Sequence, residues 1–116
     1  MTHAILPWPP KELSPNARVH WAKKAKAARE YKSSCMWSLW YEKLPLPANP
    51  WAGKKSFKIE FSPPSERRAD LDNMLAAIKP GIDALAHVTG VDDSEFQFTI
   101  SKAPPVKGGA VRVEAI

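Results

Sequence analysis

The sequence predicts a single small α/β domain in which one mixed sheet packs with two main helices, in the order β-α-β-α-β-β. Three observations lead there. Residues 56–61 alternate, with Phe57, Ile59 and Phe61 on one side and Lys58 and Glu60 on the other, as a half-buried strand does. Two longer stretches, 18–44 and 71–86, space their apolar residues at the helical period instead. A chain of 116 residues with 44% hydrophobic content fits one domain, residues 1–116, around a modest core and is too short for two ordinary domains.

Taken in order, Ala4 to Trp8 is a short apolar strand that stops in Pro7-Trp8-Pro9-Pro10, where proline removes backbone donors. Leu13-Ser14-Pro15-Asn16 is turn chemistry leading into a helix. From Arg18 to Leu44, Trp21, Ala25, Ala28, Cys35 and Leu39 fall within one stripe, with Lys23, Lys26 and Glu30 on the far side. An amphipathic helix with a basic outer face is expected, ended by Pro45, Pro47 and Pro50. Strand 56–61 follows and closes at Pro63-Pro64. In the second helix, 71–86, Leu71, Met74, Leu75, Ile78, Ile82 and Leu85 occupy one arc of about 100°. Pro80-Gly81 should kink or loosen its middle, since Pro80 cannot donate to the Ala76 carbonyl. Beyond Gly90, residues 96–100 and 111–116 alternate again, separated by Pro104-Pro105 and Gly108-Gly109, and read as a closing hairpin.

Composition narrows the function classes. The sequence lacks any apolar run of membrane-spanning length, about 18 residues, and its first ten residues have no signal-like character, so a soluble, unexported protein without a membrane partner is expected. The lone Cys35 excludes an internal disulfide and a cysteine-rich zinc site, and suits a reducing cytoplasm. Residues 1–58 carry eleven Lys and Arg against three acids, whereas residues 59–116 carry six against nine; eight of the twelve acids lie between Glu60 and Glu95. A basic surface around a small acidic pocket is what an enzyme acting on nucleic acid with a metal ion would need.

The acids concentrate in Asp70-Leu71-Asp72-Asn73, then Asp83, then Asp92-Asp93. Asp70 and Asp72 share a side if the chain is still extended there. Asp72 also stands where a helix N-cap is expected, so Asp72 or Asn73 capping the helix, with Asp70 solvated, is the plain alternative. Lys79 and Asp83 lie on the helix face of Asp72, either as an ordinary i, i+4 pair or with Lys79 reaching back toward a phosphate. Two adjacent acids at Asp92-Asp93 suit a solvated turn or a cation. Carboxylates without clustered His or Cys match Mg2+, with Mn2+ as a substitute, rather than zinc; such ions serve phosphodiester hydrolysis, with a lysine balancing developing charge.

Leu6-Pro7-Trp8-Pro9-Pro10, Leu13-Ser14-Pro15-Asn16, His20-Trp21, Arg67-Arg68-Ala69-Asp70-Leu71-Asp72-Asn73, Lys79, Asp83-Ala84-Leu85 and Asp92-Asp93-Ser94 together resemble the RusA-type Holliday junction resolvases, commonly encoded by phages and prophages. The ordered set covers nearly the whole chain. The resemblance implies a homodimeric, Mg2+-dependent endodeoxyribonuclease of the bacterial cytoplasm that cuts four-way DNA junctions by paired symmetric nicks, with no small-molecule cofactor. It implies Asp70, Asp72 and Asp93 as metal-binding, catalytic carboxylates, with Asp92 as a possible further ligand. The family's lysine stands one helical turn after the second aspartate, where this chain has Ala76; Lys79 keeps instead the family's relation to Asp83-x-Leu85, as if the helix had gained three residues. Alternatives are a non-catalytic junction-binding accessory or regulatory protein of the same fold, and a nuclease for other branched DNA.

Arg67, Arg68, Lys23, Lys26 and Arg29 are the candidates for DNA phosphates. Trp8, Trp21, Trp37, Trp40 and Trp51 read as core or dimer-interface residues rather than base-stacking groups. His20 reads as a structural hydrogen-bonding group, with phosphate binding as the alternative, and Tyr31, Cys35 and Met36 as packing.

Overall fold

The computed structural model describes residues 2–40, 49–67 and 70–116. Among them run β1 (His3–Leu6), a 3-10 turn (Lys11–Leu13), α1 (Trp21–Leu39), β2 (Ser56–Ser62), α2 (Leu71–Ala77), α3 (Lys79–Thr89), a second 3-10 turn (Asp93–Glu95), β3 (Gln97–Lys102) and β4 (Ala110–Ala115). The expected α/β architecture with one mixed sheet is what forms.

The sheet order is β1-β4-β2-β3. β4 lies antiparallel to both β1 and β2, with Val113 opposite Ala4 on one side and Ile59 on the other. β3 runs parallel to β2, Phe98 opposite Phe57 and Ile100 opposite Ile59. The expected hairpin between the last two strands is therefore absent: β2 separates them. Parallel β2 and β3 need a crossover, which α2 and α3 supply, and the chain between β3 and β4 carries the last strand past β2.

Period-2 alternation gives the sheet one apolar face. Ala4, Leu6, Phe57, Ile59, Phe61, Val111 and Val113 are buried on it. On the opposite face Lys58 pairs in register with Glu114 and Glu60 with Arg112, and same-strand ion pairs Lys58–Glu60 (3.6 Å) and Arg112–Glu114 (2.9 Å) complete a checkerboard of charge. Opposite charges directly across a ladder support that register.

α1 contains no β-branched residue and much Ala and Lys, a composition that favours helix. His20 caps it, Nδ1 accepting from the Ala22 amide at 3.2 Å, the structural role expected. Its buried face is Ala27, Tyr31, Cys35 and Leu39. The expected stripe is rotated at its start, where Trp21 is 76% exposed; Trp37, outside that stripe, is 60% exposed. The helix ends at Leu39, ahead of the prolines; Pro45 and Pro47 lie outside the described residues, and Pro50 sits in a turn. Trp51 is fully buried, its Nε1 donating to the Leu39 carbonyl at 2.9 Å, and Asn49 Nδ2 donates to Val88 O at 2.6 Å. These bonds tie the segment before β2 to the C-terminal ends of α1 and α3.

The second helix is split in two. Ile78 (φ −93°, ψ 13°) separates α2 from α3 and is itself buried. Pro80 falls in the first turn of α3, where a missing N–H is tolerated, rather than inside one continuous helix, where it is not. Gly81 then allows α3 to approach α1: a Cβ at this position would lie 3.1 Å from Cys35 Sγ and 3.5 Å from the Tyr31 ring. Burial pushes the Cys35 thiol up to about 12, so it behaves as an apolar group, and Tyr31 donates its hydroxyl proton to the Pro7 carbonyl at 2.7 Å. Gly90, at φ 72°, ends α3 in the left-handed conformation that glycine adopts without strain. No helix among the described residues is long and apolar enough to cross a membrane.

Replacing Trp51 by Ala removes a fully buried side chain and leaves the Leu39 carbonyl short of a donor. Urea denaturation of Trp51→Ala should show a loss of about 3–5 kcal/mol, with the Trp21 and Trp37 substitutions near neutral by the same measurement.

Candidate active site

Asp70 is the residue preceding α2, with extended backbone (φ −86°, ψ 134°), and its carbonyl accepts from the Met74 amide at 3.0 Å. It holds the cap position that the sequence reading gave to Asp72 or Asn73, without a side-chain capping bond. Asp72 lies inside the first turn, where a carboxylate is favoured by the helix dipole. The two-residue spacing therefore crosses from extended to helical backbone, so the extended geometry that would put both on one side does not hold. Asp70 and Asn73 line one hollow, with Trp8, Lys11 and Asn16; Asp72 lines another, with Lys79, Asp93 and Phe98.

Asp93 reaches this second hollow from the far end of the crossover. Backbone bonds from the Glu95 and Phe96 amides to the Asp92 and Asp93 carbonyls form the short 3-10 turn, and Asp92 caps it, Oδ1 accepting from the Ser94 amide at 3.1 Å. Directly after the turn, Phe96 packs edge-on against buried Phe57 with ring centroids 4.9 Å apart, and the Gln97 amide donates to Lys55 O at 2.9 Å. Core packing thus fixes where Asp93 stands.

Lys79 is the first residue of α3. Its Nζ donates to Asp83 Oδ1 at 3.0 Å and to Asp93 Oδ2 at 2.5 Å. The i, i+4 partner and the distant one hold the ammonium between them. The hydrogen bonds to Asp93 and Asp83 raise the Lys79 pKa above its ordinary value, and the bond to Lys79 lowers that of Asp93. Asp93 is held ionised down to lower pH than a free carboxylate, and Lys79 protonated up to higher pH. Their attraction is whole through the neutral range, lost in acid as Asp93 protonates and in alkali as Lys79 deprotonates. Both groups are solvent-accessible, so the pair positions charge more than it stabilises the fold.

Asp72, Lys79 and Asp93 are thus brought to one hollow, with Asp83 behind the lysine, while Asp70 borders the next. Among the described residues no three His, Cys, Asp or Glu side chains gather into a cluster that would by itself hold a metal ion. Magnesium does not require one: it is ordinarily held through one or two carboxylates, with water and substrate phosphate completing its octahedron. The oxygen-only donors of Asp72 and Asp93 fit that mode of binding.

The basic candidates divide. Lys23, Lys26 and Arg29 are exposed on α1, Lys26 within 4.0 Å of Glu30; Arg67 is exposed before α2, and Arg68 lies outside the described residues. Lys24 and Lys11, not singled out in the sequence, line hollows beside α2. The i, i+3 spacing of Trp21 and Lys24 was a signal, but which face of α1 turns toward α2 depends on the packing of α1 against α3.

The sequence matches no family model. Over 99 residues it is 42% identical to an uncharacterized protein of Xylella fastidiosa (strain Temecula1), an alignment covering 83% of this chain and 63% of that protein. The chain thus spans less than two thirds of the relative's length.

In an NMR pH titration the Asp93 carboxyl should protonate at lower pH than an unpaired aspartate. Lys79→Met should move that midpoint upward, and an unchanged midpoint would contradict the Lys79–Asp93 pairing.

Proposed function

We propose that the chain acts as a RusA-type, Mg2+-dependent structure-selective endodeoxyribonuclease that nicks four-way DNA junctions as a homodimer. The observation that carries this reading is the meeting of Asp72, Lys79 and Asp93 on one hollow of a chain whose first 58 residues hold eleven basic residues against three acids. Ala76 lines the same hollow, so a lysine three residues later still delivers its ammonium to the surface that a lysine at position 76 would border.

Magnesium, when bound, would be held by Asp72 and Asp93 and would supply water activation and charge neutralisation at the scissile phosphate. The protein's own groups do the remainder. Lys79, kept protonated by its two carboxylate partners, offers positive charge to phosphate oxygens as negative charge builds on them. Asp83 keeps that ammonium in place when Asp93 turns to another partner. Lys23, Lys26, Arg29 and Arg67 contact phosphates outside the cut, binding that weakens steeply with salt. A second copy related by a twofold axis would present an identical site to the matching strand.

One observation favours a non-catalytic junction-binding protein instead: the Lys79–Asp93 pair already neutralises a carboxylate that a cation would use. Cleavage of a synthetic four-way junction, beside duplex and flap DNA, with magnesium or chelator, separates the readings. Asp72→Asn and Asp93→Asn should each lower the cutting rate at least about 100-fold with junction affinity retained. A wild-type protein that binds the junction and never cuts it would leave only the non-catalytic reading, and equal cutting of a flap would widen the substrate. Lys79→Ala should lower the rate with a smaller change in affinity.

A further inference from the structure

Trp21 is a large aromatic side chain that the fold leaves uncovered. It opens α1 with three quarters of its surface accessible, 76%, among the described residues. Its orientation is nevertheless restrained. The preceding His20 is held by its bond to the Ala22 amide, and its ring lies against the indole with centroids 5.5 Å apart and planes inclined by 33°. An exposed indole braced on one side presents a preorganised flat face at low entropic cost.

Trp21 lines a groove of about 580 Å³ whose walls also include Lys24, Pro15, Ala76, Lys79 and Pro80. Ala76 and Lys79 also line the hollow of Asp72 and Asp93, so the two depressions are neighbours. The groove offers an apolar surface and the Lys24 ammonium; its other lysine, Lys79, and its one acid, Asp83, are paired with each other at 3.0 Å. A planar aromatic joined to a phosphate complements this combination: the base stacks on an indole while the backbone meets lysine.

We infer that Trp21 is a stacking platform for an unpaired nucleobase of the DNA strand that runs into the Asp72–Lys79–Asp93 hollow, with Lys24 against the adjoining phosphate. The inference rests on the nucleic-acid reading above for the class of its partner. It adds a selective element: a paired base inside a duplex has no free face to give Trp21, whereas a base at a branch or in a single strand does. Trp21 selects the strand that enters the site and takes no part in hydrolysis.

The test is binding in chelator, where cutting is not needed. Fluorescence anisotropy of a labelled single-stranded 20-mer and of its fully paired duplex is measured with wild type, Trp21→Ala, Trp21→Phe and Lys24→Ala. Trp21→Ala should weaken single-strand binding by roughly 5- to 150-fold and change duplex binding less than about twofold, with Trp21→Phe restoring most of the loss. Lys24→Ala should weaken both and flatten the salt dependence. Equal single-strand affinities for wild type and Trp21→Ala overturn the platform, as does an equal loss on duplex. A shift in oligomeric state for Trp21→Ala, with single-strand affinity unchanged, also overturns it and makes the face a contact between copies. A wild type that binds single strands through Trp21 yet cuts no junction upholds the platform and removes the nuclease reading; normal cutting with Trp21-independent binding does the reverse.

Discussion

Pro80 has no N–H to offer the Ala76 carbonyl, and the surroundings of the candidate site are arranged around that missing bond. A single residue, Ile78, absorbs the interruption by leaving helical geometry and burying its side chain. Lys79 then begins a new helix, Pro80 occupies a turn where it does no harm, and Gly81 meets Cys35 and Tyr31 at a separation a side chain would disturb. Within four residues the chain thus presents a lysine to solvent, places an isoleucine in the core and sets the distance between α1 and α3.

The electrostatics have a similar economy. Much of the chain's positive charge is on its first half, and much of its negative charge is around α2 and the turn after α3. Left unpaired, neighbouring carboxylates would repel, and Lys79 relieves this by bonding to Asp83 and Asp93 at once. The same ammonium that steadies the acidic surface in the absence of a ligand is placed to meet a phosphate in its presence. Accessible ion pairs contribute little to stability, so the arrangement makes more sense as positioning than as a fastening of the fold.

Asp93 owes its place to hydrophobic packing some residues away. Phe96 and Phe98 close on Phe57, which Trp51 also contacts, and this aromatic group anchors the start of β3 to β2. The rigid sheet therefore determines where the last carboxylate stands relative to α2. A polar surface site depends here on a buried aromatic cluster.

What the sequence by itself determined was local. Alternation marked Phe57, Ile59 and Phe61 as a core-facing strand, helical spacing marked Leu71 to Leu85, and Pro80 announced an interruption, because side-chain period and proline stereochemistry act over a few residues. The acids and Lys79 were visible as candidates for the same reason. Tertiary structure alone decided three things. It inserted β4 between β1 and β2 where two successive strands resembled a hairpin, since pairing is chosen by burial of both faces and edges across the whole sheet. It turned Trp21 outward, since an Ala- and Lys-rich helix has too weak an apolar stripe to specify its rotation before α3 packs on it. And it placed Asp70 on one hollow and Asp72 on another with Asp93 and Lys79, because the point where extended chain becomes helix, and the distance spanned by a crossover, are properties of the assembled fold.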